Sequence, residues 1–232
     1  MHLFYEPEIL TNGGYLNSEE SKHCIKVLRH AVGDSIRIMD GKGQLITGFI
    51  TEASKLCRVK ISETEETPLP QGGCHIAIAP TKNNDRFEWF LEKSTEIGVQ
   101  KITPLLCQNS ERKIVKPERL EKVITAAMKQ SLSTWRPVLE PLVPFSDFVR
   151  QNQNGDKFIA HCRDGKESHL FEISRKDRQA LILIGPEGDF SVEEIAEAEK
   201  NGFVPVSLGE KRLRTETAAL AAVHIISLKN SL

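Results

Sequence analysis

Two segments near the C-terminus hold the residues best suited to chemistry. Residues 183–190 read LIGPEGDF, and residues 208–218 read LGEKRLRTETA. Each follows an apolar run rich in β-branched residues and precedes a helix-like stretch, so each predicts a strand-to-helix loop with glycine at its bend. Ligands of open α/β sheets bind just past the carboxyl ends of the strands, so we expect the two loops to wall one pocket.

The first loop has the wrong chemistry for a polyphosphate. Gly185 and Gly188 allow the backbone to approach a ligand closely, but Pro186 removes an N–H donor and Glu187 and Asp189 add negative charge. Phosphate-binding loops need free N–H groups and positive charge, and their glycine patterns are missing here. The loop therefore predicts a neutral or cationic adenosine-type ligand. A tight turn before a capped helix is the alternative.

The second loop combines a glycine with a cluster of cations. Gly209 again permits close approach, and three basic residues follow it: Lys211, Arg212 and Arg214. We expect Thr215 to be the N-cap of the final helix, with Glu216 in its first turn. Beside the first loop, the cluster favours a site where a base or phosphate meets a small-molecule cofactor. The alternative is a solvated turn.

The composition is that of an ordinary globular protein. The 232 residues are 39% hydrophobic and 27% charged, and the formal net charge is −1, so any contact with a polyanion must come from a local patch. The five cysteines are widely spaced and form no C-x-x-C pair, which argues against a disulfide framework or a zinc site. With no recognisable secretory leader and no membrane-length apolar run, we expect a cytoplasmic protein with no metal and no membrane partner.

The first part of the chain predicts a small β-barrel. Residues 35–39, 44–51 and 56–61 are strand candidates, and a glycine-rich hairpin turn lies at 40–43. Short strands at close spacing with glycine turns are typical of small barrels. A short helix is expected between the first turn and these strands, within residues 18–30.

The composition changes at residues 63–73, which are acidic and then rich in proline and glycine. This segment predicts a linker, with one domain over residues 1–70 and another over 71–232. Beyond it, strands and helices alternate, which is typical of a largely parallel sheet covered by helices. The strand candidates are 75–79, 101–106, 158–162, 180–184 and 203–208, and the helix candidates are 85–97, 117–132, 191–201 and 215–229. Ser191 and Glu194 form a capping-box pattern.

The order of these segments resembles that of a known enzyme family. The LIGPEG segment followed by LGxxxLRTETA resembles the signature of the RsmE family, and residues 23–29, 92–104 and 130–131 are similar to further motifs of that family. Four positions depart from the family pattern. Asp189 stands where the family usually has a second glycine, and Lys129 where it usually has a glutamate. His2-Leu3 stands where the family often has an arginine, and Lys82-Asn83 where it has lysine-glycine. RsmE proteins are methyltransferases of the SPOUT class that use S-adenosylmethionine to modify N3 of a uridine in 16S ribosomal RNA.

The resemblance implies a fold and a cofactor site. The second domain would be a SPOUT α/β domain with a parallel sheet and a C-terminal trefoil knot, although general topology rules argue against knots. The first domain would be a PUA-like β-barrel that binds RNA, and the protein would act as a homodimer. The loops of the knot would bind S-adenosylmethionine through Ile184, Gly185, Glu187, Gly188, Leu208, Gly209 and Leu213.

The resemblance also implies a reaction, the transfer of a methyl group from a sulfonium to uridine N3. This nitrogen carries a proton, which the base must lose to become a good nucleophile. Arg214 is the first candidate to stabilise negative charge on the uracil oxygens as that proton leaves. Glu216 is the second candidate, as a proton acceptor or as a residue that orients Arg214.

The partner implied by the resemblance is the small ribosomal subunit. Net charge does not support RNA binding by the first domain, because residues 1–67 hold 8 basic and 10 acidic residues. Local candidates for phosphate contacts are His23, Lys26, Arg29, Lys82, Arg86, Arg112 and Lys113. The alternative for each is an ordinary solvated surface residue.

Three other functions are compatible with parts of the sequence. The first is a SPOUT methyltransferase that acts on another RNA nucleotide. The second is a non-catalytic RNA-binding or ribosome-assembly factor, which the intact loop glycines disfavour. The third is a metabolic α/β enzyme with an appended barrel, which leaves the LRTETA segment unexplained.

Overall fold

The computed structural model describes residues 3–151, 154–162 and 167–232. The chain divides into two compact units. The first comprises Met1–Leu69 with Thr125–Arg136, and the second comprises Pro70–Ile124 with Pro137–Leu232. Among the described residues, no helix is both long and apolar enough to cross a membrane.

The first unit is built on a four-stranded sheet. Its elements are β1 (Leu3–Tyr5), α1 (Ser18–Lys22), a π-helical turn (His23–Val27), β2 (Ser35–Met39), β3 (Gln44–Ala53) and β4 (Cys57–Glu66). The sheet order is β1-β2-β3-β4, with β1 parallel to β2 and the other pairs antiparallel. Alternate residues such as Phe4, Ile38 and Val59 face a common core, as the period of the sequence predicts.

The start of the predicted linker is strand rather than linker. β4 continues to Glu66, which pairs with Gln44 of β3, so the acidic residues 63–66 belong to the sheet. This end of the strand is exposed on both faces, so its residues are all polar. The alternation of apolar and polar residues that indicates a strand is therefore missing here. The hairpin between β2 and β3 forms at the predicted position, where Asp40 Oδ1 accepts hydrogen bonds from the N–H groups of Lys42 (2.7 Å) and Gln44 (2.9 Å).

The second unit is an α/β domain, as predicted. Its elements are β5 (Gly73–Ile78), α2 (Asn84–Ile97), β6 (Lys101–Leu106), α3 (Pro117–Gln130), β7 (Val138–Leu139), β8 (Val143–Pro144), α4 (Phe145–Val149), β9 (Asp156–Ala160), α5 (Leu170–Ile173), β10 (Gln179–Ile184), α6 (Val192–Lys200), β11 (Val204–Val206) and α7 (Thr215–Ser231). The seven-stranded sheet has the order β11-β9-β10-β5-β6-β7, with β8 also on β6, and all its pairs are parallel. The trefoil knot implied by the resemblance stays a prediction.

The central strands of this sheet are buried on both faces. Along β10, Ile182 packs into the cluster that includes α2 and α7, whereas Leu181 and Leu183 pack into the cluster that includes α4 and α6. Helices on both faces explain why residues 180–184 are apolar without alternation. Ala219 and Ala222 of α7 are buried in this same core.

The segment Thr125–Arg136 packs against the β2–β3 hairpin of the first unit. The N–H of Gly43 donates to the carbonyl of Thr134 (3.0 Å), and that of Arg136 donates to the carbonyl of Gly41 (3.0 Å). A Cβ at Gly43 would lie 2.6 Å from the Trp135 ring, so glycine is required for this contact. The end of α3 therefore belongs to the first unit, although the helix begins in the second.

Of the two predicted helix starts, one is confirmed and the other is wrong. At α6 the capping box between Ser191 and Glu194 is present, with the hydroxyl accepting from the Glu194 N–H at 3.1 Å. At α7 the prediction of Thr215 as N-cap is wrong. The extended N-cap is Arg214, without a side-chain cap, and Thr215 is the first helical residue. Thr215 and Glu216 are buried, so tertiary packing rather than capping sets this helix start.

Candidate active site

The two glycine loops and the end of β9 enclose a cavity of about 1160 Å³ at one edge of the second unit's sheet. The cavity also meets Arg86, which lies in the first turn of α2 after β5. β10 pairs directly with β5, although eight other strands and helices lie between them along the chain. This is a switch point of the strand order, where α/β proteins bind their ligands.

Asp189 fixes the shape of the first loop. Its backbone is left-handed, with φ of +63°, at the position where the resemblance would place a glycine. Its side chain offsets that conformation, because Oδ1 accepts from the N–H of Phe190 (2.8 Å) and Oδ2 accepts from that of Cys162 (2.9 Å). Asn109 Nδ2 donates to the Asp189 carbonyl at 3.0 Å. The loop after β10 is thereby joined to the loops after β9 and β6.

Glu187 connects the same loop to the end of β5. Its Oε1 accepts from the N–H of Lys82 at 2.9 Å. Arg112 holds the same turn from the other side, since its Nε donates to the Thr81 carbonyl at 2.9 Å and its Nη2 donates to that of Lys82. Four strand-end loops are therefore joined by hydrogen bonds, which preorganises this wall of the cavity.

Both glycines of the first loop sit in close contact with protein groups. A Cβ at Gly185 would lie 3.1 Å from the Phe190 ring, and a Cβ at Gly188 would lie 3.2 Å from the Asn109 Cβ. Close approach was expected toward a ligand, and the structure also requires it between neighbouring loops. The loop therefore also has the role of a structural turn, which was the alternative interpretation.

The second loop is held by few contacts. Gly209 has φ of +131°, a conformation that disfavours other residues, and the space around it is open. Its N–H donates to Ser207 Oγ at 3.1 Å. The three basic side chains of this loop are exposed, and they make no hydrogen bond or ion pair with the described residues: Lys211, Arg212 and Arg214.

The cavity brings together most of the predicted cofactor and catalytic residues. The predicted residues that line it are Arg86, Gly185, Glu187, Leu208, Gly209, Leu213 and Arg214. Ile184 ends the buried strand beneath it, and Gly188 faces Asn109 rather than the cavity. Glu216 lines a smaller neighbouring cavity of about 380 Å³, which it shares with Arg86 and Arg214.

The predicted phosphate contacts fall into two sets in different units. In the first unit, Lys26 and Arg29 are exposed at the end of the π-helical turn, where Arg29 is left-handed with φ of +59°. His23 Nδ1 lies 3.9 Å from Glu20 Oε2.

In the second unit, Lys82 and Lys113 are exposed, and Lys82 Nζ pairs with Glu111 at 2.7 Å. Arg112 is half-buried and its guanidinium is engaged by backbone carbonyls. Two of its five N–H donors are therefore already engaged within the protein, whereas the exposed Lys113 makes no such contact among the described residues.

Sequence reasoning missed the part of the lining that follows β9. His161, Cys162 and Glu167 line the cavity, and the position of 158–162 as a parallel strand could have indicated it. Burial, and then the Asp189 carboxylate, raises the pKa of the Cys162 thiol, although Arg212 acts in the opposite direction. A raised pKa disfavours the thiolate, so this cysteine is not set up as a nucleophile.

The described residues contain no group of three or more His, Cys, Asp or Glu side chains arranged to hold a metal ion. The cavity lining instead combines apolar side chains and backbone with guanidinium groups and carboxylates. Such a lining suits an organic ligand that is held by hydrogen bonds and apolar contact.

Comparison with protein families identifies the class. Residues 67–227 match the family described as RNA methyltransferase domain, and residues 16–62 match that described as RNA methyltransferase PUA domain. The first match covers more than half of the chain, so the protein belongs to the RNA methyltransferase family. The predicted family, enzyme class and α/β fold with a PUA-like N-terminal domain are thereby confirmed.

Individual relatives resemble nearly the whole chain. A probable rRNA-methyltransferase from Porphyromonas gingivalis has a TM-score of 0.92 at 38% identity, covering 100% of this chain and 99% of its own. A ribosomal RNA small subunit methyltransferase E from Neisseria gonorrhoeae, bound to S-adenosyl methionine, has a TM-score of 0.82 at 29% identity, over 96% and 95% of the two chains. The ribosomal RNA small subunit methyltransferase E of Synechocystis sp. is 30% identical, over 91% of this chain and 72% of its own.

Proposed function

We propose that this protein transfers a methyl group from S-adenosylmethionine to N3 of a uridine in the 16S ribosomal RNA of the small subunit. The observation that carries the proposal is the single cavity in which both glycine loops meet Arg214. The similarity to ribosomal RNA small subunit methyltransferase E proteins over most of the chain supports the choice of substrate.

The lining of the large cavity suits the cofactor. Leu208 and Leu213 offer apolar contact to an adenine, Gly185 and Gly209 offer backbone groups, and the exposed Glu187 favours a cationic ligand over a polyphosphate. When bound, S-adenosylmethionine supplies a methyl group on a positively charged sulfur. The proposed binding set is Ile184, Gly185, Glu187, Gly188, Leu208, Gly209 and Leu213.

Arg214 is the proposed catalytic residue. Its guanidinium is exposed at the boundary of the large and the small cavity, and it has no partner among the described residues. A free guanidinium at this place would stabilise negative charge on the uracil oxygens as N3 loses its proton.

Glu216 is the proposed proton acceptor. It is only 7% exposed, and its Oε2 has no hydrogen-bond partner. Its Oε1 lies 3.9 Å from Arg86 Nε, which is beyond hydrogen-bonding distance. A buried carboxylate oxygen without a partner is costly, and an N3–H group of the substrate would satisfy it.

We propose that residues 1–70 bind RNA and that residues 71–232 carry out methyl transfer. His23, Lys26 and Arg29 would contact phosphates from the first part, and Lys82, Arg86, Arg112 and Lys113 from the second. We further propose that the protein acts as a homodimer in the cytoplasm, where it would meet ribosomal subunits. Sedimentation equilibrium tests the dimer, and a steep salt dependence of RNA affinity tests the phosphate contacts.

The decisive experiment measures methyl transfer from labelled S-adenosylmethionine to small ribosomal subunits and then maps the modified base. Incorporation at N3 of one 16S uridine supports the proposal, whereas incorporation at another nucleotide supports a different RNA methyltransferase. An absence of incorporation together with no cofactor binding by calorimetry favours a non-catalytic assembly factor.

A further inference from the structure

We propose that the small cavity between α2 and the start of α7 binds the nucleobase that receives the methyl group, with Trp89 as its stacking surface. The inference rests on the proposed function and assigns a place and a residue to the acceptor. The cavity of about 380 Å³ is lined by Asp85, Arg86, Trp89, Arg214, Glu216 and Thr217. Its volume is at the lower end of the range for small-molecule sites, which suits a base.

The position of this cavity relates it to the large one. Arg86 and Arg214 line both cavities, so the two share a boundary of guanidinium groups. A donor in the large cavity and an acceptor in the small one would meet at these two side chains. This is where charge on the uracil oxygens would need stabilisation.

Trp89 is far more exposed than the other aromatic side chains of α2. It is 41% exposed, whereas its α2 neighbours Phe87 and Phe90 are buried in the core. Trp89 and Arg86 are three residues apart in α2, so they lie on the same face of the helix. An exposed indole beside a guanidinium is a common platform for an unstacked base.

Glu216 contributes a carboxylate to the lining of this cavity. Its unpartnered Oε2 is buried, and the side chain lines this cavity. An N–H donor of a base stacked on Trp89 would satisfy that oxygen. Uracil carries a ring N–H between two carbonyl groups and guanine one beside a single carbonyl, whereas the N–H donors of adenine and cytosine are exocyclic amines. The arrangement therefore favours a base with a ring N–H flanked by carbonyls.

The test compares Trp89→Phe with Trp89→Leu on small ribosomal subunits. Both variants keep an apolar side chain on α2, but only Phe keeps an aromatic plane. Stacking contributes about 1–3 kcal/mol per base, a factor of about 5 to 150, so we expect kcat/KM for the RNA to fall by about tenfold or more in W89L. W89F should remain within about threefold of the wild type, and S-adenosylmethionine affinity should be unchanged in both.

Fluorescence supplies a readout other than turnover. The chain has two tryptophans, so W89F keeps only Trp135 in the first unit. A uridine-containing 16S RNA fragment should quench the emission of the wild type and leave that of W89F unquenched. Equal quenching of the two proteins at a saturating RNA concentration contradicts the proposal.

Other outcomes separate this inference from the proposed function. If the wild type methylates the subunit but W89L and W89F have equal kcat/KM, the base site is wrong and the methyltransferase function stands. If W89L instead changes the oligomeric state in sedimentation equilibrium, Trp89 belongs to a contact between copies and the base site is also wrong. Absence of methylation by the wild type overturns both.

Discussion

The two glycine loops of the cavity differ in how they are held. The loop after β10 is fixed by Asp189 and Glu187, whose carboxylates accept backbone N–H groups from Cys162, Phe190 and Lys82. The loop after β11 has Gly209 in open space and three exposed cations without partners among the described residues. One wall of the cavity is thus preorganised, whereas the other depends on few contacts of its own.

The difference indicates that the two loops have different roles in binding. A wall held by several hydrogen bonds between neighbouring loops can position a ligand with little loss of conformational entropy on binding. The second loop makes few such contacts, so it is expected to gain order when donor and acceptor bind. Substitution of Asp189, which fixes the first loop, should therefore act mainly on stability, whereas substitutions in the second loop should act mainly on turnover and ligand affinity.

The largest expected effect is that of Arg214→Ala. Loss of a group that stabilises transition-state charge should lower kcat by about 10²–10³-fold. Affinity for S-adenosylmethionine, measured by calorimetry, should change little, and so should the free energy of unfolding. Arg212→Ala is the matched control from the same exposed loop. Normal turnover in R214A with intact cofactor binding would falsify the catalytic role.

Asp189→Ala should have the next largest effect, and it should appear in stability. The variant loses two hydrogen bonds to a carboxylate and places alanine at φ of +63°, which together should cost about 2–4 kcal/mol of unfolding free energy. Asp189→Gly loses the same bonds without the backbone strain, so urea denaturation should find it about 1 kcal/mol more stable than D189A. Equal stability of the two variants means that the left-handed backbone is not strained here.

Gly209→Ala tests the second loop in the same way. The added Cβ meets no atom within 4 Å, but φ of +131° is unfavourable for alanine, so the loop must change shape. We expect the free energy of unfolding to fall by less than about 1 kcal/mol and S-adenosylmethionine affinity to fall by about tenfold. A loss of stability as large as in D189A shows that the two loops are equally fixed, which removes the contrast between them.

The smallest effect is expected for Lys211→Gln. Lys211 is exposed at the rim of the cavity, so its charge should act on RNA phosphates and not on the cofactor. The logarithmic dependence of RNA affinity on salt should become shallower by about one unit, with S-adenosylmethionine affinity unchanged. An unchanged salt dependence assigns Lys211 to bulk solvent.

Much of the second unit could be predicted from the sequence because its signals are local. The predicted strand over 101–106 has the observed bounds, and that over 180–184 lacks only the first residue. Apolar runs, capping residues and glycine bends act over a few residues and need no tertiary context. The short β7, β8, α4 and α5 carry too few residues for a period and were not predicted.

The residues of the candidate site also differ in whether local sequence signals predict them. The two loops and their place at strand ends follow from sequence, since glycine, charge and the following helix define a loop locally. His161, Cys162 and Glu167 reach the cavity only because β9 lies between β10 and β11 in the sheet, and strand order is set by long-range pairing. Likewise, no local signal places Trp135 on Gly43, because that contact joins distant parts of the chain.

The sequence by itself determined the family and the alternation of strands and helices, and it argued against a polyphosphate site, because residue type and spacing control each of these directly. Only the tertiary structure decided which charges are already engaged. It directs Arg112, Glu187 and Asp189 to backbone groups of neighbouring loops and leaves Arg214 exposed beside a buried carboxylate oxygen. The chemistry of a charged side chain depends on its partners, and packing between distant segments chooses those partners.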